Sequence, residues 1–288
     1  MKVAAIQMVS GTDLARNLVD ARALLEQAAA QGAELAVLPE YFCLLGERDT
    51  DKLAIQESMG QGPIQAMLAT AARQLGLWVV GGTLPLQVPK GVPGDVPGDV
   101  PGVEGQRVFN SCLVFSPTGQ CVARYDKMHL FRFDNGTERY DESRVLQAGH
   151  APACFDLPAR SGYTWRVALS VCYDLRFPEL YRAYARDGAD LLLVPSAFTH
   201  TTGQAHWELL LRARAVENLC FVAAPAQGGQ HENGRRTWGH SLIVDPWGKV
   251  LAQQANGPGL VLVELDVLQV VQRRQQLPAL MHRVIGVT

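Results

Sequence analysis

The feature that most constrains this chain is a set of short apolar runs whose residues do not alternate with polar ones. Leu191-Leu192-Leu193-Val194 is apolar at every position, and further runs fall at 3–8, 35–39, 77–84, 111–115, 167–173, 220–226, 241–245 and 260–265. A strand with one wet face alternates, whereas a strand covered on both faces has no reason to. Helical patterns lie between the runs. Asp13 is placed to cap a helix carrying Leu18, Ala21, Leu24, Leu25 and Ala28, which ends near Gly32. Pro63 and Pro178 open two more, closed near Gly76 and Gly188. A fourth at about 203–219 puts Leu209, Ala213 and Val216 on one apolar stripe, with Glu208 and Arg212 paired at i,i+4. A fifth runs over about 267–277. This alternation predicts an α/β layered fold.

The segment 92–103 reads Val-Pro-Gly-Asp, Val-Pro-Gly-Asp, Val-Pro-Gly-Val. Its prolines and glycines exclude it from a sheet. Apolar strands resume on both sides, so it reads as a loop inserted at about 88–105 in a single domain spanning 1–288. Hydrophobic residues make up 48% and charged residues 19% of the chain, ample for a packed core. With 26 basic and 28 acidic residues the net charge is −2, which argues against nucleic acid or an anionic membrane as partner. Val3–Met8, broken by Gln7, reads as a first strand rather than a secretory signal. The six cysteines contain no CxxC pair, so reduced thiols and a cytoplasmic location are expected.

Phosphate loops, dinucleotide fingerprints, HExxH and GxSxG are absent, and the seven histidines lack metal-ligand spacing. No metal or organic cofactor is expected. That leaves side-chain nucleophiles. Cys172 stands where the apolar strand Ala168–Val171 gives way to polar residues, at the rim of a layer where reactive groups are presented, although a free cysteine is also a common small core residue. Glu40 ends the run Leu35–Pro39 as a lone carboxylate; partial burial suits it to proton transfer, and the plainer reading is a solvated loop charge. Lys127 is one of five lysines beside 21 arginines. A compact ammonium can donate to an oxyanion, or Lys127 can be a surface residue paired with Asp126.

Taken together, Leu38-Pro39-Glu40-Tyr41-Phe42, Asp126-Lys127-Met128-His129-Leu130-Phe131 and Cys172-Tyr173-Asp174-Leu175-Arg176-Phe177-Pro178-Glu179 resemble the nitrilase superfamily of carbon–nitrogen hydrolases. The likeness extends from Ala5-Ile6-Gln7 to Asp245-Pro246-Trp247-Gly248. It implies a general base at Glu40, an oxyanion stabiliser at Lys127, a nucleophile at Cys172, and a substrate-orienting glutamate at Glu142, with Glu138 a nearby competitor. The backbone N–H of Tyr173 would complete an oxyanion hole. The implied fold is a four-layer αββα sandwich that pairs into a homodimer or higher homo-oligomer.

Tyr173-Asp174 replaces the Trp-Glu of true nitrilases. Residues 195–207 and 226–241 resemble the Nit branch, closest to deaminated glutathione amidases in the run at 210–215 and around Gln227 and His231. The resemblance thus implies a cysteine-dependent amidase acting on a small α-keto acid amide through a thioester. An ω-amidase of 2-oxoglutaramate, or another small aliphatic amide or N-carbamoyl hydrolase, is the alternative. A catalytically silent binding scaffold, or a thiol sensor at Cys172, is a more remote one. Arg176 is the candidate clamp for a substrate carboxylate, against a simple salt bridge to Glu179 or Asp174. His129, His206 and His240 are read as structural, and Trp207 and Trp247 as packing residues.

Overall fold

The computed structural model describes residues 1–89 and 106–285; the Val-Pro-Gly-Asp repeat lies outside them. An eight-stranded sheet runs in the order β18 (Gly259–Glu264), β1 (Lys2–Gln7), β2 (Leu35–Val37), β3 (Trp78–Val80), β5 (Val108–Phe115), β4 (Leu84–Gln87). Strands β6 (Cys121–Asp126) and β9 (Leu146–Gln147) also pair with β5. The second sheet has six strands: β10 (Ala153–Pro158), β11 (Thr164–Leu169), β12 (Leu191–Leu193), β13 (Phe221–Ala224), β16 (Ser241–Val244) and β17 (Val250–Gln254). Two small hairpins, β7–β8 (Arg132–Asp134, Arg139–Asp141) and β14–β15 (Gly228–Gln230, Arg236–Trp238), stand apart.

The non-alternating runs follow from packing. In β1, Val3 and Ala5 face the core between the sheets, while Ala4 and Ile6 face a second core beneath helices. The same division separates Leu35 and Val37 from Ala36 in β2, and Cys112 and Val114 from Leu113 and Phe115 in β5. Helices α1 (Leu14–Ala30) and α3 (Pro63–Leu75) build that outer core with Leu24, Leu25, Leu68 and Ala72. Helices α4 (Pro178–Arg186) and α5 (His200–Asn218) cover the other sheet through Tyr181, Tyr184, Trp207 and Leu211. The layering is αββα. The short α2 (Asp51–Ala54) and the terminal α6 (Val267–Gln276) complete the helices of the described residues.

The local signals act as expected at most ends. Asp13 accepts from the Arg16 N–H at 3.1 Å, Pro63 and Pro178 open α3 and α4, and Gly76 closes α3 in the left-handed region at φ +62°. The run at 77–84 divides into β3 and β4 rather than forming one strand. The stripe expected to bury on α5 faces outward: Leu209 is 68% and Val216 45% exposed. The buried face carries Trp207, Leu211 and Ala215 together with Arg214 and Asn218. These two polar residues belong inside because Arg214 donates twice to the Leu175 carbonyl, at 3.1 and 2.7 Å, and Asn218 donates to the Arg214 carbonyl at 2.9 Å. Trp247, expected to pack, is 52% exposed, its ring lying 4.7 Å from the Arg273 guanidinium.

Candidate active site

Three strand ends converge. Glu40 follows β2, Lys127 follows β6, and Cys172 follows β11 at the start of a short 3₁₀ turn, Cys172–Arg176. The loop bearing Glu40 passes so near the one after β3 that a side chain at Gly82 would put its Cβ 2.0 Å from the Pro39 carbonyl oxygen. Gly82 also sits at φ +48°, so glycine is required there twice over. Cys172 and Tyr41 hold φ of +50° and +56° without that freedom, each at a cost of roughly 1–2 kcal/mol.

Lys127 is fully buried, and its Nζ donates to Glu40 Oε1 at 2.9 Å and lies 2.8 Å from Glu142 Oε2. It therefore pairs with two carboxylates and not with Asp126, which takes Ser111 and Arg124. Glu40 also accepts from Asn110 Nδ2 on Oε1 and from the Ala197 N–H on Oε2, each at 2.9 Å, and from the Cys172 thiol. Glu142 accepts from the Tyr41 hydroxyl and the Phe131 N–H, both at 2.7 Å. Glu142 is thus in the cluster, whereas Glu138 is half-buried outside it and accepts from the Thr201 hydroxyl at 3.1 Å.

Burial pushes the Glu40 carboxyl above the ordinary carboxylate range, with the Lys127 charge pulling it back. Burial and then Glu40 push the Cys172 thiol well up, again opposed by Lys127. Burial works against the Lys127 charge, but Glu142 and Glu40 outweigh it and hold the ammonium well above the usual lysine range. Two carboxylates and one ammonium leave the cluster at −1, so a thiolate becomes accessible only as its proton moves to a neighbour. Such a group can transfer a proton between thiol and carboxylate beside a fixed positive donor.

The nucleophile turn is braced from below. Buried Asp174 accepts from the Tyr125 hydroxyl at 2.7 Å, the Val171 N–H at 2.8 Å and the His129 N–H at 3.0 Å, and also bonds the His129 ring at 2.7 Å. That His129 ring stacks on Phe177 at 3.7 Å, a structural part as expected. His206 lies 3.3 Å from Arg176, and His240 stacks on Trp238 at 4.3 Å. Trp207 is buried and donates to the His240 carbonyl at 2.8 Å. In place of an ion pair to Glu179 or Asp174, Arg176 sits half-buried between the Tyr173 and Phe198 rings, 5.7 Å from each, beside Cys172. Tyr173, with its backbone N–H next to the nucleophile, lines the same recess.

Several functional neighbours escaped the sequence reading. Asn110 and Tyr41 reach the carboxylates from other strands and loops, with no local signal beyond Tyr41 following Glu40. Gln227 donates to the Glu40 carbonyl at 3.1 Å and to Ser10 Oγ at 2.8 Å, so the branch-like segment buttresses the base. A group of Asp49, Lys52, Arg235 and Arg236 lining the same cleft as Cys172 was also missed. Its one trace in the sequence is the turn dipeptide Asn233-Gly234 ahead of two arginines.

Comparison with known proteins agrees with this geometry. A family profile described as carbon-nitrogen hydrolase matches residues 2–275. A "Deaminated glutathione amidase" from Synechocystis sp. is 40% identical over 98% of this chain and 97% of its own. An "Omega-amidase NIT2" from Danio rerio is 33% identical over 98% of this chain and 94% of its own. The solved structure of Saccharomyces cerevisiae Nit3, described as a member of branch 10 of the nitrilase superfamily, superposes with a TM-score of 0.81. It is 29% identical, covering 96% of this chain and 94% of that one. A match running through every strand that carries the buried cluster is not a shared fragment: the chain belongs to the carbon–nitrogen hydrolase family, Nit branch, and is an enzyme that hydrolyses carbon–nitrogen amide bonds.

Proposed function

We propose that this enzyme cleaves the amide of a small α-keto acid, deaminated glutathione first, through a thioester on Cys172. The observation that carries the proposal is the buried Glu40–Lys127–Glu142 cluster meeting Cys172 at the bottom of a cleft. In this reading Glu40 takes the thiol proton as Sγ attacks the amide carbon. Lys127 and the Tyr173 N–H hold the oxyanion, and Glu142 fixes the amide. Collapse breaks the C–N bond, and the leaving nitrogen takes the proton from Glu40. Glu40 then activates the water that releases the acid and restores the thiol. These groups supply nucleophile, base and oxyanion donor without a cofactor. The similarity to deaminated glutathione amidases favours a Cys-Gly leaving group; the ω-amidase relative keeps 2-oxoglutaramate as the alternative.

The same proposal takes the enzyme to be one domain, cytoplasmic and homo-oligomeric. Among the described residues no helix is long and apolar enough to cross a membrane. Exposed Leu209, Val216 and Trp247 favour a second copy as the cover for this face. Mass spectrometry of enzyme quenched during turnover of deaminated glutathione is expected to find the acyl group on the peptide containing Cys172. Cys172→Ala is expected to lose both adduct and turnover. An active Cys172→Ala enzyme overturns the mechanism, and a preference of tenfold or more for 2-oxoglutaramate replaces the substrate.

A further inference from the structure

The cleft has two arms that meet at Cys172 and share Phe131, Ala197 and Thr199. The narrow arm, about 220 Å³, is walled by Tyr173, Phe198, Thr202 and Arg176. The wide arm, about 620 Å³, contains Glu40 and Glu142 at its base and Asp49, Lys52, Arg235 and Arg236 farther along its wall. Arg235 Nη2 lies 2.7 Å from Asp49 Oδ1, and Lys52 Nζ lies 3.8 Å from the same oxygen. Arg236 is exposed and adds a third cation. The remaining acid of this wall, Asp141, is occupied by Ser143 at 2.6 Å and Arg132 at 3.9 Å. Three cations therefore line the wide arm away from the reacting glutamates, with Asp49 shared between two of them and Asp141 bonded to Ser143.

This charge is fixed in place. Asn233 ties the hairpin turn to the Leu45 and Gly46 carbonyls at 3.1 and 2.7 Å, and its Oδ1 accepts the Arg235 N–H at 3.0 Å. The Arg235 guanidinium lies over the Tyr140 ring at 5.8 Å. A guanidinium held this way loses little freedom when it meets a second carboxylate.

Direction comes from proton transfer. In the reading proposed above, on which this inference rests, Glu40 protonates the leaving nitrogen, and Glu40 lines only the wide arm. Tyr173, whose N–H faces the oxyanion, lines only the narrow one. The acyl group then lies in the narrow arm toward Arg176, and the amine departs through the wide arm. We infer that the wide arm is a leaving-group subsite for an amine that ends in a carboxylate, held by Arg235 with Lys52 and Arg236 alongside. Ammonia leaves such a subsite empty; a dipeptide fills it.

The test measures kcat/KM on deaminated glutathione, on its C-terminal carboxamide and on 2-oxoglutaramate, for wild type and Arg235→Gln. The wild type is expected to prefer the free carboxylate over the carboxamide by about tenfold to a hundredfold, the usual effect of one charged hydrogen bond. Arg235→Gln is expected to shrink that preference at least tenfold, with turnover of 2-oxoglutaramate reporting whether the reacting cluster is intact. A wild type indifferent to the carboxylate, or a preference within twofold of wild type in Arg235→Gln, overturns the subsite while the amidase reading stands. Wild-type enzyme that hydrolyses none of the three overturns the substrate reading instead. Should Arg235→Gln fail to fold, the wild-type comparison and Arg236→Gln, at an exposed position, decide the same question.

Discussion

At the scale of the residue, Lys127 sets the charge balance of the site. It has no solvent contact and sits between two carboxylates at 2.9 and 2.8 Å, so its charge stabilises both as it waits for an oxyanion. Lys127→Arg keeps the charge and is nevertheless expected to lose on the order of 10²–10³ in kcat, because a planar fork does not fit a space shaped around an ammonium. Stopped assays on folded protein check this, and near wild-type turnover contradicts it. Lys127→Met is expected to fail differently. It leaves Glu40 and Glu142 buried without compensation, a change that costs about 3–5 kcal/mol and is read as a fall in Tm.

At the scale of the element, the hairpin β14–β15 ties the wide arm to the rest of the fold. Buried His231 bonds the Ser10 carbonyl at 2.9 Å and the Thr237 hydroxyl at 2.7 Å. Burial lowers its pKa below the ordinary 6.5, so the folded protein holds it neutral while the unfolded chain protonates. A depressed pKa contributes stability that is present above the unfolded value and lost as pH falls. The Tm is expected to drop below about pH 6.5. His231→Gln is expected to be less stable by about 1–3 kcal/mol at neutral pH, yet flatter in its acid limb. Equal acid slopes refute the assignment. This hairpin also shows where sequence reading stops. Strands β1, β2 and β12 were legible because both faces are covered, and α1 and α3 because their caps are local. Glu40 and Cys172 were legible because each ends an apolar run, and Lys127 because its motif stands in order between theirs. The burial of Arg214 was not, since the Leu175 carbonyl it serves lies 39 positions away. Nor was the wall at Arg235, which Asp49 holds from 186 positions away.

At the scale of the whole molecule, the outward stripe of α5 is the surface that calls for a cover. Light scattering is expected to find a particle at least twice the 31.4 kDa chain mass, and Leu209→Asp combined with Val216→Asp is expected to reduce it to the monomer. A monomeric wild type refutes that. The layering has another consequence. Glu40 and Lys127 hang from one sheet and Cys172 from the other. The reacting groups are therefore neighbours only while the two sheets are pressed together across their shared core. An intermediate that kept every helix and strand but let the sheets slide would bring no thiol to its base. Catalysis thus serves as a built-in gauge of sheet docking, and in a denaturant titration activity is expected to fall no later than the far-ultraviolet signal of the helices and strands.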